Sequence, residues 1–160
     1  MISILNERNL NNKKILLRLD LNVPFKNGKI SDTTRIDKIL PTLRFLIQKK
    51  TKIIILSHVG RPKGKVVKEL SLKPICEDLK KKLNLSVKLI TKNIHEIKNK
   101  DFFEKFDEEI LILENIRFYI EEEKNDHIFG EYLANLGDIY VNDAFSCSHR
   151  AHASICQISK

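Results

Sequence analysis

The chain has 160 residues, 42% of them hydrophobic and 31% charged. That is enough length and apolar content to bury a core without disulfide or metal staples, and it excludes a disordered or collagen-like chain. Lys and Arg total 29 against 21 Asp and Glu, a formal charge of +8, so a polyanionic partner must be weighed. Most of the cations are scattered lysines, and the seven arginines carry more information. Cys76, Cys147 and Cys156 have no paired spacing, and MISILNERNLNNKK has no apolar stretch behind a basic start. The longest aliphatic run, Ile53 to Leu56, is far short of a membrane span. A reducing cytoplasm is the expected location.

In chain order, KILLRLD (14–20) reads as a strand, and FKNGKI (25–30) carries the Asn-Gly signature of a hairpin. From Arg35, apolar Ile36, Ile39, Leu40, Leu43, Leu46 and Ile47 recur at helical spacing, with Asp32, Thr33 or Thr34 available as cap. Pro41 lies inside this pattern and is expected to kink or bound the helix. KIIILS (52–57) is a buried strand and HVGRPKGK (58–65) a loop. Ser71 is expected to cap a helix reaching about Leu83, with Pro74 in its first turn. SVKLI (86–90) is a strand followed by a polar helix, and EILILE (109–114) a strand followed by the loop NIRFY. A helix over about 125–136 should end at Gly137, and DIYVNDAF (138–145) is the last strand. Aliphatic strands separated by helices imply an α/β fold: a Rossmann-like parallel β-sheet with helices on both faces, in three αβα layers.

Ligands of open α/β sheets bind outside the carboxyl ends of the strands. Those ends carry Asp20 and Asn22; His58, Gly60 and Arg61; Asn115 and Arg117; and Asn142, Asp143, His149, Arg150 and His152. Arg35 starts the first long helix near the same edge. Four of the seven arginines thus fall at one edge, where their planar forks suit a small, highly charged anion such as a phosphorylated carboxylic acid. Asp20 and Asn22 would orient a hydroxyl group or hold the forks in place. The bland alternative is that these arginines form solvated ion pairs with Glu121, Glu122, Glu123 and other acids.

RLDLNVP, the Arg35 helix start, SHVGRPKG, LENIRFYIEEE and YVNDAFSCSHRAHAS, in this order and spread over residues 18–154, resemble the phosphoglycerate kinase family. The resemblance covers essentially the whole chain but only the family's N-terminal, substrate-binding domain, here residues 1–160. It implies a glycolytic kinase that transfers a phosphoryl group reversibly between ATP and the carboxylate of 3-phosphoglycerate. Carried over motif by motif, Asp20, Leu21 and Asn22 would contact the glycerate. His58, Val59, Gly60 and Arg61 would line the anion pocket, and Arg117 and Arg150 would hold the substrate phosphate. Arg35 would be catalytic, beside the carboxyl oxygen that exchanges the phosphoryl group. Mg-ATP or Mg-ADP would bind a C-terminal domain that these residues do not include, so this chain holds no nucleotide or metal site and is expected to be inactive alone. The implied partners are 3-phosphoglycerate and 1,3-bisphosphoglycerate, with a monomer and neither nucleic acid nor membrane. Ile155 and Ile158 are expected to leave apolar surface uncovered near residue 160.

Ser146, Cys147 and Ser148 replace the Gly-Thr-Ala-like residues common in the family. GRPKGK is not a P-loop: three residues separate Gly60 from Gly64, and Val66 follows Lys65. Two rival readings remain. A zinc-binding module would use Cys147, His149, His152 and Cys156, although their spacing matches no familiar ligand pattern. A basic nucleic-acid-binding module would explain the charge but lacks aromatic or helix-turn-helix signatures.

Overall fold

A continuous aliphatic strand can be buried on both faces only if separate layers cover each face. The computed structural model, which describes residues 9–147 and 150–159 with the side chain of Cys147 outside that description, supplies both layers. Its strands are β1 (Lys14–Leu19), β2 (Phe25–Lys26), β3 (Lys29–Ile30), β4 (Lys52–Leu56), β5 (Val87–Ile90), β6 (Ile110–Leu113) and β7 (Ile139–Asp143). Its helices are α1 (Thr34–Gln48), α2 (Lys73–Leu83), α3 (Ile120–Glu123) and α4 (His127–Ala134). Five strands form one sheet in the order β5-β6-β4-β1-β7, every pair parallel. The β2–β3 hairpin turns at Asn27 and Gly28, both at positive φ, as its Asn-Gly step requires.

Alternate residues of the strands enter two cores. Ile15, Leu17, Leu19, Ile53, Ile55, Ile110 and Ile112 meet α1 and α2 through Ile36, Leu43, Ile75 and Leu79. Leu16, Ile54, Leu56, Leu111 and Leu113 meet Ile94, Phe103 and, from α4, Phe129 and Leu133. The connections explain this division. From β1 the chain moves through β4 to the β5 edge, then reverses through β6 to place β7 beyond β1. Crossovers of one hand running in opposite directions put their helices on opposite faces. Adjacent β4 and β6 therefore send their loops to opposite sides, which opens a crevice at their carboxyl ends.

Several local expectations are corrected. Pro41 does not end α1; it lies on the exposed side, and Asp37, whose carbonyl loses its helical partner, is an exposed residue as well. Asp32 accepts the Thr34 amide at 2.8 Å, just ahead of the helix. Ser71 stands one residue before the cap of α2: its Oγ accepts the Lys73 amide at 3.2 Å, while the Glu114 carboxylate takes the Leu72 amide at 2.8 Å. The polar helix after β5 is absent. Asn93 and Asn99 accept backbone N–H groups two residues ahead, which favours the 3-10 turns Ile94–Glu96 and Lys100–Lys105. NIRFY is likewise not an open loop but a 3-10 turn, Ile116–Phe118, leading into α3.

The helix expected over 125–136 is shortened to α4, capped by Asp126, which accepts the Phe129 amide at 2.8 Å. Gly137 is not its cap; a Cβ there would stand 2.9 Å from Leu16 Cβ, so the glycine permits close approach to β1. Ile155 and Ile158 are buried rather than uncovered, because a π-helical turn, Ala153–Gln157, folds the segment back against Ala144 and the second core.

Candidate functional site

The carboxyl edge has an exposed rim and a sealed floor. On the rim, Asp20 follows β1 and is largely buried; its carboxylate is gripped by the Arg35 guanidinium and by the Ser146 hydroxyl, and it accepts the Asn22 amide at 3.2 Å. Arg35, in the first turn of α1, is thereby held by an acid in the loop after β1. Asn22 is exposed, and its Oδ1 accepts the Gly60 amide at 2.9 Å, tying the β1 and β4 loops together. Gly60 has φ +66°, and a Cβ there would stand 2.7 Å from Leu70, so only glycine fits this turn without strain. Leu21 and Val59 point into the first core, and only their backbones border the edge. The Leu21 amide donates to Ser57 Oγ at 3.1 Å, and the Val59 carbonyl accepts from Asn115 Nδ2 at 2.8 Å.

The floor contains charge that the sequence reading did not assign to the site. Arg18, inside β1, is fully buried. Its Nε donates to Ser154 Oγ at 2.9 Å, its Nη1 donates to the Leu19 carbonyl, and its Nη2 donates to His58 Nδ1 at 3.2 Å. Ser154 passes the chain onward, since its Oγ and amide donate to the two Glu122 oxygens at 2.6 and 2.8 Å. Tyr140 closes the segment by donating to the Ser154 carbonyl at 2.6 Å. Glu122 is fully buried in α3; burial pushes its carboxyl above the ordinary range, and Arg18 and the Ser154 donors oppose that rise. Burial, reinforced by the guanidinium groups of Arg18 and Arg117, pushes the His58 imidazole down to about 2. The imidazole of His152 is lowered in the same way, first by burial and then by Arg117. Neither ring is therefore a cation at neutral pH, and the positive character belongs to the arginines.

Arg117, buried in the turn after β6, donates from Nη1 to the Gly60 carbonyl at 3.0 Å, while its own carbonyl accepts the Gly64 amide at 3.1 Å. Its Nε lies 3.9 Å from Glu123, so the expected pairing with the acidic run is present but long. Asn115, fully buried, donates to the Val59 and Leu70 carbonyls at 2.8 and 2.9 Å and accepts the Arg117 amide at 3.1 Å. It fixes the crevice between β4 and β6. Arg61 is exposed and makes no hydrogen bond or ion pair with a described residue. Arg150 is half-buried, and its charge also bears on His58 and His152. Asp143 serves packing instead, accepting from Thr42 Oγ1 at 2.8 Å. His149 and Ser148 lie outside the described residues, as does the side chain of Cys147, so the postulated zinc set is only partly in view. Among the described residues no group of three or more His, Cys, Asp or Glu could hold a metal ion.

A hollow of about 500 Å³ is bounded by Asp20, Thr34, Arg35, Lys38, Asp143 and Ser146, and one of about 530 Å³ by Asn22, Val59 and Gly60. A larger one, about 820 Å³, lies further along the same edge between Val66, Pro74, Tyr119 and Ile120, and no arginine lines it. Among these three hollows only the first carries an arginine, Arg35, in its lining. A signal for the missed floor was present in the sequence, a lone arginine interrupting the aliphatic run of KILLRLD, whereas nothing in the run EEE marks Glu122 as the acid that is fully buried.

A doubly wound parallel sheet with guanidinium groups, an imidazole and a carboxylate gathered at its carboxyl edge defines an α/β domain of Rossmann-like architecture. The family model for phosphoglycerate kinase matches residues 5–160, so the chain belongs to the phosphoglycerate kinase family. It is 51% identical over 149 residues to a phosphoglycerate kinase of Wolbachia pipientis subsp. Culex pipiens, covering 93% of this chain and 37% of that protein. To the phosphoglycerate kinase of the Wolbachia of Brugia malayi it is 48% identical, covering 100% of this chain and 40% of the relative. The structure superimposes on phosphoglycerate kinase from Coxiella burnetii with a TM-score of 0.86 at 41% identity, covering 96% of this chain and 38% of that one. With the Pyrococcus horikoshii enzyme the TM-score is 0.83 at 30% identity. The chain thus spans well under half the length of the relatives it matches. No helix among the described residues is long and apolar enough to cross a membrane.

Proposed function

We propose that this chain is the substrate-binding part of a phosphoglycerate kinase, holding 3-phosphoglycerate or 1,3-bisphosphoglycerate while a nucleotide bound elsewhere in the full-length protein exchanges the phosphoryl group. The observation that carries the reading is the Asp20–Arg35 pair set across the edge from His58, Gly60 and Arg117, in a chain of this family. In this reading Arg61, Arg117 and Arg150 hold the phosphate, and Asn22 and Asp20 position the glycerate. Arg35 stands by the carboxylate, where a guanidinium stabilises charge in an in-line transfer. Mg-ADP or Mg-ATP would supply the phosphoryl acceptor or donor. The loop 60–66 is not built to cradle it, since the Gly64 amide is already bonded to Arg117. The +8 charge then serves a small anion rather than nucleic acid or a membrane, and the protein acts as a cytoplasmic monomer.

The test is a thermal melt of the chain with millimolar 3-phosphoglycerate against chloride and sulfate at equal ionic strength. A ligand that binds only the folded state raises the midpoint in proportion to RT ln(1 + [L]/Kd). A rise with phosphoglycerate alone supports the reading; an equal rise with sulfate reduces the site to a generic basic patch. In a coupled assay the 160-residue polypeptide by itself should show only background turnover, and a rate in the usual kinase range of about 1–100 per second would overturn the division of labour.

A further inference from the structure

The contact between Arg18 and His58 has a chemical consequence that neither residue shows alone. A guanidinium has only donors, so the His58 nitrogen that meets it must be an acceptor. That nitrogen is Nδ1, 3.2 Å from Arg18 Nη2. In a neutral imidazole one nitrogen carries the proton and the other a lone pair. Nδ1 is committed as the acceptor, so the proton resides on Nε2. Nε2 makes no hydrogen bond to a described residue, and it is not among the polar atoms sealed from solvent without a partner. We propose that Arg18 is a positioning residue, fixing His58 as the Nε2–H tautomer so that the ring presents a neutral N–H donor, not a cation, to the phosphorylated ligand. This inference rests on the reading of the edge as a phosphoglycerate site.

Arg18 can hold this role because its other two nitrogens are committed. Nη1 bonds the Leu19 carbonyl, and Nε bonds Ser154 Oγ, which must then give its own proton to Glu122. The guanidinium is therefore immobilised by the end of β1 and by the returning π-helical turn, and its charge is answered through Ser154 by the carboxylate of Glu122. Protonating His58 would set two donors face to face, Arg18 Nη2–H against Nδ1–H. The groups that bear on the ring, Arg18, Arg117, His152 and Arg150, all disfavour a second proton. A neutral donor has a use here. The neighbouring arginines already supply charge, and a directional N–H adds selectivity for a tetrahedral oxygen without a further buried cation.

The experiment is a long-range proton–nitrogen spectrum of the ring-labelled chain, recorded with and without 3-phosphoglycerate. The His58 assignment comes from loss of the signal in His58→Gln. The expected spectrum at pH 7 has Nδ1 unprotonated and Nε2 protonated, with no titration down to about pH 5. The Nε2 proton should shift on adding 3-phosphoglycerate. A ring protonated on Nδ1, or an imidazolium near neutrality, overturns the inference. In Arg18→Gln/Glu122→Gln, which removes both buried charges together, the tautomer should become mixed; a pure Nε2–H form in that variant would remove Arg18 from the cause. If the variant does not fold, His58→Gln and His58→Asn decide. The Gln amide nitrogen falls near Nε2 and the Asn nitrogen near Nδ1, so Asn should lose about tenfold more affinity for 3-phosphoglycerate than Gln, a difference of roughly 1.4 kcal/mol. The reverse order overturns the proposal. Should the backbone of Asn22 and Gly60 not respond to phosphoglycerate at all, the substrate reading fails and the donor role with it, while the tautomer in the free protein remains a separate observation.

Discussion

The rim and the floor of the carboxyl edge use the same residue type in opposite ways. Arg35 and Arg61 stand in solvent, and Arg35 is restrained mainly by Asp20. Arg18 and Arg117 are buried and bonded to backbone carbonyls or neutral side chains at fixed geometry. An exposed guanidinium is cheap to keep and is screened by water and salt, so a ligand must order it. A buried one has already lost its water, so it is preorganised but depends on every partner it has. A change in the floor is therefore expected to alter the shape of the site and the stability of the domain together, whereas a change on the rim is expected to leave folding nearly untouched.

The sharpest way to break that distinction is to remove one member of the buried network. Glu122→Ala should destabilise the domain by about 3–5 kcal/mol, because both Ser154 donors lose their acceptor and the buried Arg18 loses the charge that answers it. Glu122→Leu combined with Arg18→Met should recover much of that loss, since an apolar pair leaves no orphaned charge. Urea denaturation of the three forms reads both effects, and a Glu122→Ala protein as stable as the parent would show that the floor is not a cooperative unit.

On the rim, Arg35→Lys in the full-length kinase should lower kcat by at least about tenfold with a smaller change in KM, because lysine keeps the charge and loses the planar fork. A change confined to KM would move Arg35 from the transition state to ground-state binding. Arg61→Ala should cost about tenfold in affinity for 3-phosphoglycerate, near 1.4 kcal/mol, while its folding stability stays within about 0.5 kcal/mol of the parent. Titration calorimetry and a urea melt on the same sample separate the two quantities. A large loss of stability would place Arg61 with the floor.

The last effect is in the pH dependence. His58 is held near 2 in the folded state and returns to about 6.5 when unfolded, so below pH 6.5 the unfolded chain binds the extra proton. Its contribution to stability is complete above about pH 6.5 and falls as the pH drops towards 2, by at most about 1.4 kcal/mol per unit. His152, lowered by burial, acts in the same sense. Glu122, raised by burial, acts in the opposite sense: its contribution is present below its unfolded value and is lost as pH rises through its folded one. Urea midpoints at pH 7, 6 and 5 should decline in the parent and less steeply in His58→Gln. Parallel declines would mean that His58 does not titrate against folding.

The strand–helix alternation, the two-sided burial of the strands and the set of loops that meet at one edge were legible in the chain before folding. Each of these follows from local patterns: runs of Ile and Leu, helical spacing, an Asn-Gly turn, and arginines placed after strands. The family was legible too, through five short motifs in order. Local patterns misled at Pro41, Gly137 and residues 91–105, where the deciding quantity was the exposure of one side of a helix, the nearness of β1 to a glycine, or competition from asparagine side chains. Tertiary structure alone decided the floor. Arg18, His58, Glu122 and Ser154 are separated by up to 136 positions in the chain, and their protonation and hydrogen bonding exist only once β1, α3 and the final turn close around them. Residue type fixes what a side chain is able to donate or accept; burial and partners, which arise only on folding, fix what it does.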